Sequence, residues 1–246
     1  MEPGPTAAVL IIGNEVLSGR TQDQNLAFLA RRLGEMGVPV IEARVVRDRE
    51  EEIVQAVRQL RDRCTWLFTT GGIGPTHDDI TTGAVARAFG VPVVRHPEAE
   101  ARLRAHYAPG EVTEARLKMA DVPEGASLID NPVSTAPGYR IGNVFVLAGV
   151  PVIAQAMFES LAPALQGGPP IRSRTVRCRT PEGVMAGPLG EVQRRHPEVE
   201  IGSYPFFRRG EVGVSLVVRG TDPEALEVVV RELVEMLRGL GDDPET

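Results

Sequence analysis

The stretch Thr69-Thr70-Gly71-Gly72-Ile73-Gly74-Pro75-Thr76-His77-Asp78-Asp79-Ile80-Thr81, TTGGIGPTHDDIT, decides how this chain is read. Thr65 to Thr70 reads as a strand entering a glycine loop, and Asp78 to Phe89 as the helix leaving it. Backbone amides of such a loop, at Gly71, Gly72 and Gly74, suit an anion. Asp78 and Asp79 would repel one. The two demands agree if a divalent cation lies between carboxylates and a diphosphate, since Mg²⁺-type ions take one or two carboxylates plus phosphate oxygens. They also agree if the carboxylates accept from ribose hydroxyls or pterin N–H groups. The bland alternative makes Thr76 a helix N-cap and Asp79 the acid of a capping-box-like start. Familiar phosphate motifs do not fit: a histidine stands where the third glycine of a dinucleotide fingerprint would be, and no Gly-Lys-Ser/Thr ending follows.

Outward from this loop, strand-like and helix-like segments alternate. Ala7 to Gly13 is a short apolar run, Gln22 to Met36 is helix-periodic, Val38 to Val46 is strand-like and Arg49 to Arg61 is helical. This βαβαβα order predicts a parallel sheet with helices on both faces, and ligands beyond the carboxyl ends of its strands. Three stretches fall at such ends: Gly13-Asn14-Glu15, Arg47-Asp48 and Gly71 to Asp79. A less regular part follows, with helices expected over Pro97 to His106, Glu111 to Met119 and Pro151 to Ala164, a strand over Val144 to Leu147, and a loop at Asn131 to Gly138, NPVSTAPG. Gly167-Gly168-Pro169-Pro170 reads as a linker, which places a first domain over residues 1–168. The remainder, 171–246, reads as strand, helix, strand, strand, helix, a small α+β unit.

The bulk numbers fit a globular protein: 246 residues, 42% apolar, 24% charged. A net charge of −6 argues against nucleic-acid or membrane-surface partners held by electrostatics. No apolar run approaches the roughly 18 residues of a membrane span, and Met1 to Thr6 lacks the features of a signal peptide, so a cytoplasmic location is expected. Cys64 and Cys178 are expected as reduced thiols.

TTGGIGPTHDDIT closely resembles the signature loop of the MoaB/Mog molybdopterin-binding fold, and its HDD resembles the CinA-type (competence/damage-inducible protein A) branch. GNEVLSGRTQDQN, Gly13 to Asn25, is similar to that branch's opening motif, NPVSTAPG to its second ligand loop, and IGSYPFF, Ile201 to Phe207, to its KH-like middle domain. The resemblance covers nearly the whole chain. It implies a three-layer α/β/α domain with a mostly parallel sheet, followed by a KH-like α+β domain. It also implies two required aspartates, matching Asp48 and Asp79, and, as in some CinA-type members, metal-dependent hydrolysis of the ADP-ribose diphosphate. In that reading Asp48, Asp78 and Asp79 are catalytic, and Asp78, Asp79 and Glu15 hold Mg²⁺, Mn²⁺ or Co²⁺. Ligand contacts are expected from Gly13, Asn14, Glu15, Ser18, Asn25, Gly71, Gly72, Gly74, Thr76, Thr81, Lys118, Asn131, Ser134 and Gly138. The ligand is then a nucleotide or a pterin, with molybdopterin as the alternative to ADP-ribose. Related proteins are dimers or trimers, so a homo-oligomer is expected.

Two departures qualify the resemblance. Family members carry PGVP, one residue and then Glu-Met; here the segment is Ala148-Gly149-Val150-Pro151-Val152-Ile153-Ala154, with Ile153 in the place of the glutamate. An alkyl group cannot hold a metal or activate water. A non-catalytic scaffold is therefore a further alternative. CinA-type proteins also often continue into a deamidase domain, an activity not expected of a chain ending at Thr246.

Other signals are weaker. His77 has no partner at metal spacing, and Ser18 and Ser134 sit in no nucleophile elbow. Lys118, the single lysine, has a phosphate contact or a solvated surface position as its two readings. Residues 171–246 hold 11 Arg against 13 Asp or Glu, and Gly210 to Gly213 carries an acid inside its G-x-x-G spacing. A structural or dimerising role for this unit is expected rather than RNA binding.

Overall fold

The computed structural model describes residues 4–108, 110–208 and 210–246. The chain forms two compact units, Met1–Gly34 with Val38–Gly168 and Glu35–Gly37 with Pro169–Thr246. The first unit runs β1 (Ala7–Ile12), α1 (Asn14–Leu17), α2 (Asn25–Glu35), β2 (Val40–Val46), α3 (Glu50–Arg61), β3 (Trp66–Thr70), α4 (Thr81–Phe89), β4 (Val93–Arg95), α5 (Pro97–His106), α6 (Glu114–Leu117), β5 (Asp121–Pro123), β6 (Ser127–Ile129), β7 (Gly138–Ile141), β8 (Val144–Leu147) and α7 (Pro151–Leu161). Its main sheet has the order β2-β1-β3-β8-β7-β6. The first four strands are parallel, and β7 and β6 add antiparallel.

The apolar runs explain this arrangement. All six residues of β1 and all five of β3 are buried, as strands covered on both faces must be. On one face Ala8, Leu10 and Ile12 pack with Ile53, Val57 and Leu60 of α3 and Ala84 and Val85 of α4. On the other, Phe68 meets Phe158 of α7 at 5.6 Å, and Phe158 meets Phe28 of α2 edge-on at 5.8 Å. The fold is α/β with a mostly parallel sheet.

Three local expectations need correction. Helix α4 starts at Thr81, three residues later than expected, and Thr76 is not its N-cap; Ile80 precedes the helix with no side-chain cap. The carboxylate of Asp79 is instead occupied within the loop. The helix expected over Glu111 to Met119 is only the single turn of α6 and a following 3₁₀ turn, Lys118–Ala120. The irregular middle also contains four strands beyond expectation: a β4–β5 ribbon, tied by Arg95 to Asp121 at 2.8 Å, and β6 with β7. Strands of three or four residues are too short to show alternation.

The second unit comprises β9 (Arg172–Cys178), α8 (Glu182–Arg195), β10 (Glu200–Arg208), β11 (Glu211–Gly220) and α9 (Pro223–Gly239). Its antiparallel sheet, β10-β11-β9, packs Val176, Leu216 and Val218 against Met185 of α8 and Leu226, Val229 and Leu233 of α9. Both sheet edges are guarded. Arg177 of β9 exchanges two backbone hydrogen bonds with Glu245. On β10 the outward N–H of Ile201 donates to Gln193 Oε1 at 2.8 Å, and Pro205, on the same outward set by alternation, has no N–H to offer. Among the described residues no helix is long and apolar enough to cross a membrane. Cys64 and Cys178 are free thiols, and burial pushes both above the ordinary thiol pKa.

Candidate ligand-binding site

Three strand ends meet at Gly71. A Cβ placed there would lie 2.1 Å from the Ile12 carbonyl oxygen at the end of β1, and Gly149, after β8, lies against it. With φ of +103° at Gly71 and +68° at Gly72, glycine is required on both steric and conformational grounds. The amide of Gly71 donates to Leu147 O at 3.2 Å, so it serves the sheet and not a ligand, contrary to expectation. The amides of Gly72 and Gly74 make no hydrogen bond among the described residues. Thr81 closes the loop from behind: it is buried, its hydroxyl donates to Gly71 O at 2.9 Å and its N–H to Gly72 O at 3.0 Å. Its place is therefore structural.

The acids of the loop converge on one hydroxyl. Thr76 Oγ1 lies 2.5 Å from Asp78 Oδ1 and 2.6 Å from Asp79 Oδ2, and Asp79 Oδ2 also accepts from the Thr76 N–H at 2.8 Å. A hydroxyl carries one proton, so it can donate to only one carboxylate at a time. The other contact is oxygen against oxygen, an arrangement that a cation relieves. The Thr76 hydroxyl holds the exposed Asp78 carboxyl below the usual carboxylate range, aided by a backbone N–H, His77 and Lys118. The donor set of two carboxylates and a hydroxyl fits a hard divalent ion completed by phosphate oxygens. Among the described residues no three His, Cys, Asp or Glu side chains come together to hold a metal. Glu15 therefore does not join Asp78 and Asp79 as expected; its carboxylate folds back over Gly13.

Lys118 is half-buried against the loop and not a freely solvated surface side chain. Its ammonium donates to Thr76 O at 2.6 Å and Asp79 O at 2.9 Å, pinning the acidic loop. Asp48 accepts the Asn14 N–H at 2.8 Å, joining the ends of β1 and β2. Ser18, on an exposed turn, donates to Glu15 O at 3.2 Å. Asn25 is buried and donates to Gly149 O at 2.9 Å, while its Oδ1 accepts from no group. Asn131 is spent on its own loop: Nδ2 donates to Ser134 Oγ and Ala136 O, and Oδ1 accepts from the amides of Val133 and Ser134. Gly138 lies within β7, where a Cβ would come 2.5 Å from Val146 O, so packing accounts for the glycine. These contacts make Asn131, Ser134 and Gly138 loop and strand formers. Ile153 is half-buried in the first turn of α7.

One feature of the site had little signal in the sequence. A pocket of about 410 Å³ opens beside the loop, lined by Ile73, Gly74, Asp79, Lys118, Met119 and Tyr139 among others. Tyr139 is buried; its hydroxyl makes no hydrogen bond, although the Thr82 hydroxyl lies near, and burial raises its pKa well above the ordinary phenol value. The aromatic residue following NPVSTAPG was its only trace in the sequence.

The two units match known protein families. Residues 8–167 match a family model described as a probable molybdopterin binding domain, and residues 170–241 match the middle domain of FAD synthase. A solved structure of the protein CinA from Thermoplasma acidophilum, of unknown function, is 35% identical with a TM-score of 0.62, covering 65% of this chain and 97% of that one. The chain belongs to the CinA-like family. A protein of Pyrobaculum calidifontis is 42% identical over 95% of this chain and 96% of its own length. A CinA-like protein of Gloeobacter violaceus is 36% identical, and there the match spans 95% of this chain but 57% of the relative. This CinA-like chain therefore corresponds to part of that longer relative.

Proposed function

We propose that the loop Gly71 to Asp79 binds a phosphorylated nucleotide or pterin and that, with Mg²⁺, Mn²⁺ or Co²⁺, the chain hydrolyses the diphosphate of ADP-ribose. The observation that carries this reading is the convergence of Asp78, Asp79 and Thr76 oxygens on a single hydroxyl proton beside unbonded glycine amides. Asp78 and Asp79 hold the ion. The amides of Gly72 and Gly74 receive phosphate oxygens, and Lys118 keeps the acids in register through their backbone. Asp48 orients the first strand's loop through Asn14. A bound divalent ion supplies charge neutralisation and a more acidic water. In the reaction a water oxygen bonds to one phosphorus and the bridging P–O bond breaks, giving AMP and ribose 5-phosphate.

The test is AMP release from ADP-ribose with each metal in turn. The reading expects release that needs metal and falls at least about 100-fold in Asp79→Asn. Metal-independent release, or an undiminished mutant, would contradict it. Ile153 favours a second reading, binding without turnover, as in a molybdopterin-binding role in cofactor biosynthesis or a scaffold. Its mark is a protein that nucleotide or pterin stabilises against heat while no AMP appears.

A further inference from the structure

The pocket beside the loop between β3 and α4 has the chemistry of a slot for a flat ring. Its volume, about 410 Å³, lies within the range of small-molecule sites. Ile73, Ile80, Val93, Met119 and Pro137 make its walls mainly apolar. Four charged residues also line it, and each is already engaged. Glu50 lies 3.0 Å from Arg87 and Asp121 2.8 Å from Arg95, Asp79 accepts from Thr76, and Lys118 donates to two loop carbonyls. These pairings leave no charge over to meet one on a ligand. What remains is the Tyr139 hydroxyl, on a side chain only 2% exposed and with no hydrogen-bond partner. A hydroxyl removed from water and left unpaired is costly, and a ligand atom that pairs with it recovers that cost.

Position ties this pocket to the loop. Gly74 and Asp79 belong to both, so a ligand anchored through phosphate at the Gly72 and Gly74 amides has the pocket open beside its remainder. That remainder must be uncharged, apolar on its faces and polar at one edge, where it meets the phenol. A sugar carries too many hydroxyls for such walls, and an aliphatic chain leaves the phenol unpaired. A nitrogen heterocycle meets all three demands. Gly83 adds an independent observation. It is the third residue of α4 and lines the pocket, yet its φ is not positive and a Cβ there would meet nothing within 4 Å. Glycine is a poor residue inside a helix, and neither backbone geometry nor packing requires it here. An open pocket mouth does. We infer that, on the reading of the loop proposed above, this pocket holds the nitrogen heterocycle of the phosphorylated ligand, with the Tyr139 hydroxyl donating to a ring nitrogen as a specificity determinant. An adenine and a pterin both offer that chemistry.

The test is a calorimetric titration of the full chain, with Mn²⁺ present, against three probes. Inorganic pyrophosphate reads the loop alone, while ADP and 6-hydroxymethylpterin diphosphate add an adenine or a pterin. At least one ring-bearing probe should bind about ten-fold or more tighter than pyrophosphate, and which one does so names the ring. Gly83→Leu places a side chain at the pocket mouth and improves the helix. It should abolish that advantage, keep the pyrophosphate affinity and leave the thermal midpoint no lower. Tyr139→Phe should weaken the ring-bearing probe about three- to ten-fold and leave pyrophosphate unchanged. Its thermal midpoint should not fall either, since the substitution removes an unpaired hydroxyl; a hydroxyl serving only the core would lower it. Ring-bearing probes that bind no tighter than pyrophosphate, or an advantage that survives either substitution intact, would overturn the inference and leave the loop reading standing. If none of the three probes binds, the loop reading falls and this inference with it.

Discussion

Thr76 illustrates how one side chain can set the charge of its surroundings. Its single proton stands between the carboxylates of Asp78 and Asp79, and its own amide also donates to Asp79. The Asp78 carboxyl is thereby kept ionised to lower pH than an ordinary carboxylate. Thr76→Val should weaken Mn²⁺ binding by roughly ten- to a hundred-fold in a calorimetric titration, the usual effect of removing a group that orients metal ligands. Unchanged affinity would mean that the two acids do not act together. Gly71 is constrained differently, by the Ile12 carbonyl 2.1 Å from any Cβ and by a positive φ. Gly71→Ala should cost at least about 2 kcal/mol in denaturant unfolding, because the opposing atom is backbone and cannot rotate away.

Among the elements, the loop between β3 and α4 depends on a residue remote in sequence. Lys118, in the 3₁₀ turn after α6, donates to two of its carbonyls. Lys118→Met should cost about 1.5–3 kcal/mol, the range for hydrogen bonds to a charged group, or less where solvent reaches the site. It should also raise KM for the ligand more than it lowers kcat. A second such tie is Asp242, after α9, which accepts from Arg179 N at 2.8 Å and from Thr180 N and Oγ1 at 2.6 Å. Burial would raise its pKa, but these hydrogen bonds outweigh it and leave the carboxyl below its ordinary value. A lowered folded pKa stabilises the fold above the unfolded value near 4, and that contribution is lost as pH falls through the folded one. Asp242→Ala should therefore lose about 1–3 kcal/mol at neutral pH. The gap from wild type should close below about pH 4 in urea melts across that range.

For the whole molecule, the two units keep separate cores. Leu10 and Leu216 are each fully buried and belong to clusters with no shared residue. Leu10→Ala and Leu216→Ala should each cost about 2–5 kcal/mol, and the costs should add in the double variant to within about 0.5 kcal/mol. The strands and helices of the first 90 residues were legible because Ala7–Ile12 and Trp66–Thr70 are continuous apolar runs and α3 is strongly periodic. The middle was not, because Val93–Arg95, Asp121–Pro123 and Ser127–Ile129 carry three residues each and hold their places by pairing with distant partners. At the site, the glycines and both loop acids could be picked out by type and order. That Lys118 grips the loop, that Asn131 serves only its own turn, and that Tyr139 backs a pocket are facts of long-range contact, which local spacing does not encode.

Pro205 has a consequence for assembly size. A chain with two bare strand edges can add copies at either end and grow into filaments, as open head-to-tail association does. With β10 silenced by a missing N–H and a side-chain acceptor, and β9 occupied at Glu245, the three-stranded sheet of the second unit offers neither of its edges as a bare run. A sheet closed at both ends gives such growth no place to begin.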